Sequence, residues 1–186
     1  MQHLPNILTI FRVAMIPALY LAFFIDGPIG DWLCVVIFTL ACTTDFLDGW
    51  VARRYNVQSG FGRMLDPIAD KLTVATCLML LVHGRMIADI HLLAAVIILC
   101  REILVSGLRE YLMELRVSLP VSTLAKFKTT LQMVALGFLL SGEAGKEVWS
   151  ISQEIGLGLL WIAAGLTMVT GYDYVTKGLK HAKWND

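Results

Sequence analysis

The 186-residue sequence predicts an all-α, polytopic membrane protein, with six transmembrane helices in a single domain covering residues 1–186. Three observations support this. Apolar residues make up 57% of the chain and charged residues only 16%, against about a quarter charged in an average soluble domain. Mean hydropathy is +0.69. The apolar residues also gather into six segments. At about 20 residues per span, these need about 120 residues and leave short loops. A water-soluble globule and a disordered chain are poor fits. So is a nucleic-acid binder, because 15 Lys and Arg balance 15 Asp and Glu to a net charge of zero.

The first segment, Ile7–Ile25, follows a short uncharged N-terminus and lacks a small-residue cleavage pattern, so it reads as a retained span rather than a secretory signal. The turn residues from Asp26 to Asp31 separate it from the second, Trp32–Trp50. The third runs Pro67–Val82, and His83-Gly84-Arg85 divides it from the fourth, Ile90–Leu112. The fifth is Thr129–Leu140 with an upstream extension. Ser141-Gly142-Glu143-Ala144-Gly145 reads as the turn into the sixth, Val148–Val175. Cys34, Cys42, Cys77 and Cys100 all lie in apolar runs with no CxxC spacing, so they read as small buried hydrophobes. Trp32, Trp149 and Trp184 lie near span ends, as an aromatic belt requires.

Charge sets the orientation. With the N-terminus in the cytoplasm and spans alternating, only Arg85 and Lys146 of the 15 Lys and Arg fall outside. That bias follows the positive-inside rule and puts both termini in the cytoplasm.

The chemistry concentrates between residues 45 and 70. Asp45 and Asp48 are three apart at the end of the second segment, and Asp66 and Asp70 are four apart at the start of the third. On helices those spacings share a face. A short loop joins the two segments as antiparallel neighbours, so both pairs lie at one membrane depth. Carboxylates near a bilayer are costly and mark function. Hard divalent cations relieve their repulsion, and two such ions can clamp a phosphoryl group in transfer. The bland alternative pairs the acids with Arg53, Arg54, Arg63 and Lys71. Gly49 and Ala52 beside them leave a shallow surface that suits either a nucleotide or close helix packing.

The pattern D-x2-D-G-x2-A-R-x8-G-x3-D-x3-D, formed by Asp45, Asp48, Gly49, Ala52, Arg53, Gly62, Asp66 and Asp70, resembles the signature of the CDP-alcohol phosphotransferases at every spacing. The likeness extends to Leu4–Arg12, Arg101–Glu110 and Ala125–Met133, which are similar to the branch using glycerol 3-phosphate. It implies the fold of that family and transfer of a phosphatidyl group from CDP-diacylglycerol to sn-glycerol 3-phosphate, with CMP released. It further implies two Mg²⁺ or Mn²⁺ ions per site on Asp45, Asp48, Asp66 and Asp70, with Asp70 also the general base. Pro5, Asn6, Thr9, Gly49, Ala52, Arg53 and Ser59 correspond to donor-nucleotide contacts. A homodimer in a bacterial-type inner membrane, with a cytoplasmic active site, follows from the same resemblance.

Arg101 lies inside an apolar run where a cation needs a partner, and Glu102 and Glu110 are candidates. Arg101 and Arg109, eight apart, fall near one helix face. Arg109 and Lys126, with Arg101 or Lys128, are expected to hold the glycerol phosphate, since guanidinium matches phosphate oxygens. Two rival readings are a relative using inositol phosphate, serine or phosphatidylglycerol as acceptor, and a divalent-cation transporter. A transporter calls for acids near the midplane of several helices, whereas these cluster at one end of two.

Overall fold

The computed structural model describes residues 4–55, 60–114 and 123–181, with side chains described at 8–47, 62, 64–113, 124, 126–176 and 178. Among the described residues the chain forms seven helices and no strand: α1 (Leu4–Phe23), α2 (Pro28–Tyr55), α3 (Gly60–His83), α4 (His91–Glu114), α5 (Thr123–Leu140), α6 (Gly142–Val148) and α7 (Ser152–His181). Six long helices thus correspond to the six apolar segments, except that the sixth begins at Ser152, Val148 being the last residue of α6.

The boundaries follow local chemistry. Gly27 has φ +86°, a left-handed turn that glycine enters without strain, and Pro28 then opens α2 with its φ already helical. Pro67, read above as the start of a segment, lies inside α3. It removes one intrahelical hydrogen bond, yet Asp66 and Asp70 still sit one turn apart on the same helix.

The expected turn at Ser141–Gly145 is instead the start of the short helix α6. A contact distant in sequence explains the difference. The Asp31 carboxylate of α2 accepts a hydrogen bond from the Ala144 backbone N–H at 3.0 Å and so satisfies an amide at the start of α6. Gly142 makes this approach with φ +49°, and a Cβ there would lie 2.7 Å from Asp31 Oδ1.

Among the described residues, length and composition allow three helices to cross a membrane: Pro28–Leu47 of α2, His91–Met113 of α4 and Ser152–Thr176 of α7. α1 has a shorter apolar stretch, Leu8–Phe23. α3 and α5 fall short because Asp66, Asp70 and Lys71, or Lys126 and Lys128, occupy their first halves.

α5 packs most extensively on α7, and α1 on α2; α4 also lies along α7 and α1 along α3. The core includes Leu19, Phe38, Leu81, Ile98, Leu136 and Leu160, with Ala94, Ala135, Ala163 and Ala164 allowing close helix approach. Large apolar side chains also cover the outside, among them Leu21, Ile29, Met79 and Val169. Such a surface suits lipid rather than water. Cys34 and Cys77 are buried and Cys42 half-buried, as expected, but Cys100 is exposed on the outer face of α4.

Candidate active site

The carboxylates converge on a cation from the first helix. Arg12 of α1 is 1% exposed. Its Nη1 lies 2.7 Å from Asp45 Oδ1 on α2 and 2.9 Å from Asp66 Oδ1 on α3. A guanidinium in an apolar helix needs such partners. Two carboxylates share one positive charge, so the cluster keeps a negative excess. Asp70, one turn beyond Asp66, adds to it. Thr9, a turn before Arg12, is buried on the same face of α1.

A basic group stands opposite. Glu102 of α4 pairs with Lys128 of α5 and lies 3.4 Å from Arg101 Nη1. Lys128 is 2% exposed, so its charge depends on Glu102. Arg101 Nη2 donates to Thr170 Oγ1 of α7 at 3.2 Å. Gly171 leaves the room this needs: a Cβ there would come within 3.0 Å of Arg101 Cγ. Arg109 stacks over the Tyr174 ring, 5.7 Å from its centroid, which holds α4 to α7 while the guanidinium edge stays available for hydrogen bonds.

One cavity of about 520 Å³ joins the two groups. Arg12, Asp45 and Asp70 line one part; Arg101, Glu102, Arg109, Lys126 and Lys128 line another. Six of the residues singled out from sequence therefore share one chamber: Asp45, Asp70, Arg101, Arg109, Lys126 and Lys128. Asp66 reaches it through the shared Arg12. Thr9 is placed beside that arginine. The side chains of Pro5, Asn6, Asp48, Gly49, Ala52 and Arg53, and all of Ser59, lie outside the described residues.

Among the described residues no three acid, thiol or imidazole groups are gathered closely enough to hold a metal ion. The donor chemistry nevertheless suits a hard cation. Asp45 and Asp66 aim carboxylate oxygens at a single point, and that point holds a positive charge from Arg12.

From the sequence, Arg12 counts among the charges at the cytoplasmic side and ends the Leu4–Arg12 likeness, with no role of its own. Its signal was available, since it sits inside an apolar run just as Arg101 does. Of the two partners weighed for Arg101, the structure selects Glu102 and adds Thr170.

Comparison with known proteins identifies the family. The family model described as CDP-alcohol phosphatidyltransferase matches residues 2–169. A protein of Rickettsia bellii is 49% identical over 93% of both chains, and one of Pectobacterium atrosepticum is 42% identical over 93% of both. One of Cereibacter sphaeroides is 36% identical over 97% of both. Each of these relatives is named CDP-diacylglycerol–glycerol-3-phosphate 3-phosphatidyltransferase.

Proposed function

The chain belongs to the CDP-alcohol phosphatidyltransferase family, and from that premise we propose that it transfers the phosphatidyl group of CDP-diacylglycerol to sn-glycerol 3-phosphate, giving phosphatidylglycerol phosphate and CMP. The observation that carries this reading is the single cavity with carboxylates on one part of its wall and guanidinium and ammonium groups on another. A diphosphate donor, whose charge cations held by those carboxylates would offset, and an anionic acceptor held by basic side chains fit that division.

On this reading the donor's cytidine side meets Pro5, Asn6, Thr9, Gly49, Ala52, Arg53 and Ser59. Arg109 and Lys126, with Arg101 or Lys128, hold the acceptor phosphate. Glu102 keeps Arg101 and Lys128 oriented. Asp70 accepts the proton of the attacking acceptor hydroxyl as its oxygen bonds to the phosphorus next to diacylglycerol. The bond to CMP breaks, and CMP leaves with the electron pair. When two Mg²⁺ or Mn²⁺ ions are bound by Asp45, Asp48, Asp66 and Asp70, they offset charge on the diphosphate and on departing CMP. Direct in-line attack inverts the phosphorus.

The same reading makes residues 1–186 one domain with six spans, α1 to α5 and α7, and α6 on the outer side. Three apolar helices and the lipid-like outer surface support a membrane protein. The Lys and Arg distribution supports cytoplasmic termini and active site in a bacterial-type inner membrane. Family membership supports a homodimer.

The acceptor assignment is tested by Arg109→Ala and Lys126→Ala. Each removes a charge-assisted contact worth about 1.5–3 kcal/mol. The KM for glycerol 3-phosphate should rise roughly ten- to a hundredfold, with donor KM little changed. Glycerol, which lacks the phosphate, should be a poor acceptor, and the variants should narrow the gap between the two. Unchanged glycerol 3-phosphate kinetics would make these residues mere anchors.

A further inference from the structure

α4 and α7 run parallel, and three contacts set their register. His91 Nδ1 accepts a hydrogen bond from Trp161 Nε1 at 3.0 Å. A Cβ on Gly171 would meet Arg101 Cγ, and one on Gly178 would meet Leu108 Cδ2, each at 3.0 Å. In all three contacts the α7 residue stands 70 positions after its α4 neighbour.

By that register Arg109 is level with position 179 of α7. Its guanidinium instead stacks on Tyr174, 5.7 Å from the ring centroid. That is five residues back towards Arg101, about 7.5 Å at the helical rise. The ordinary lean of a helical side chain towards the N-terminus covers about one position. The rest is the reach of the arginine stem to the ring.

Arg101 needs no such reach. Its Nη2 donates at 3.2 Å to Oγ1 of Thr170, almost level with it. Thr170 is buried and gives its own proton to the Leu166 carbonyl at 2.8 Å, which leaves the hydroxyl oxygen to accept from Arg101.

The spacing of these partners has a consequence for the arginines. Arg101 and Arg109 are eight residues apart, about 12 Å along α4, and as like charges on one cavity they repel. Thr170 and Tyr174 are four residues apart, about 6 Å along α7. The points that hold the two guanidiniums are thus about half as far apart as their Cα atoms.

We propose that Thr170 and Tyr174 are positioning residues for the acceptor phosphate: they draw two arginines from successive turns of α4 into one phosphate clamp. The clamp selects Arg101 over Lys128 as the partner of Arg109, since Lys128 is engaged with Glu102. The proposal rests on the acceptor being sn-glycerol 3-phosphate, as argued above. Neither Thr170 nor Tyr174 is among the residues lining the cavity, so each acts through the arginine it holds.

The test is Tyr174→Leu, which keeps apolar bulk and removes the ring beneath Arg109. Purified protein is assayed for CMP release at saturating CDP-diacylglycerol. The KM for sn-glycerol 3-phosphate should rise roughly three- to thirtyfold, the range of a cation–π contact, and inorganic phosphate should inhibit more weakly by a similar factor. The kcat at saturating acceptor and the donor KM should stay near those of the unmutated protein. Tyr174→Phe keeps a ring face for the guanidinium and should restore most of the affinity. Thr170→Val removes the oxygen that Arg101 uses and should also raise the acceptor KM, with Thr170→Ser restoring it. In an Arg109→Ala background, Tyr174→Leu should add almost nothing, because its effect passes through the guanidinium. An equal further rise in that background, or a fall in kcat and donor affinity to match, would mean that the ring only packs the helices and would overturn the clamp. If Tyr174→Leu does not fold, the threonine pair decides: equal acceptor KM in Thr170→Val and Thr170→Ser would overturn it. Unchanged kinetics in Tyr174→Leu, where Arg109→Ala does raise the acceptor KM, would overturn the clamp alone. Unchanged kinetics in both would remove the acceptor assignment and the clamp with it.

Discussion

Asp45→Asn and Asp66→Asn each reduce CMP release by more than about a hundredfold, beyond the upper end of what losing even an outer-shell partner of a metal ligand costs. The exchange keeps side-chain size and removes one negative charge. Each variant leaves Arg12 the other carboxylate of the Asp45 and Asp66 pair, so the helices should stay folded and Tm should change little. On the proposed assignment the missing group is a metal ligand, so saturating Mg²⁺ should not restore turnover. Asp48→Asn should behave alike from its place in the signature. Near-normal turnover by any of the three would remove that residue from the ligand set.

Arg12→Met has its largest effect on stability, and only without divalent cations. The variant keeps an unbranched apolar stem, removes the guanidinium and leaves Asp45 and Asp66 facing one another. Breaking a buried pair on one side costs about 3–5 kcal/mol. The two aspartates keep 43% and 45% of their side-chain exposure, and solvent screening lowers the expectation to about 2 kcal/mol. For a chain of this length that is a Tm lower by about 4–8 °C in EDTA. Added Mg²⁺ should raise Tm more in the variant than in the unmutated protein, since the ion then supplies a positive charge in place of the guanidinium between the carboxylates. Equal Tm values in EDTA would show that Arg12 does not hold the cluster together.

The carboxylate half of the site was legible because its geometry is local. Spacings of three and four on helices place Asp45 with Asp48 and Asp66 with Asp70 whatever the rest of the chain does. Arg101 and Glu102 were legible too, one as an intramembrane cation and the other as its neighbour. Lys128 as the second partner of Glu102 was not, because that contact depends on how α4 and α5 pack. Arg12 was as legible as Arg101 as a cation inside an apolar run, but its partners on α2 and α3 were hidden for the same reason. The start of α6 looked like a turn because Asp31, 113 residues away, completes it. Among the described residues three helices are long and apolar enough to cross a membrane, and α3 and α5 are less apolar because polar residues of the site occupy their first halves.

The most direct measurement is CMP release by purified protein given CDP-diacylglycerol, Mg²⁺ and one acceptor at a time: sn-glycerol 3-phosphate, glycerol, inositol phosphate, serine or phosphatidylglycerol. The expected result is rapid release with sn-glycerol 3-phosphate alone, matched by phosphatidylglycerol phosphate in equal amount and stopped by EDTA. No release with sn-glycerol 3-phosphate, or faster release with another acceptor, would contradict it.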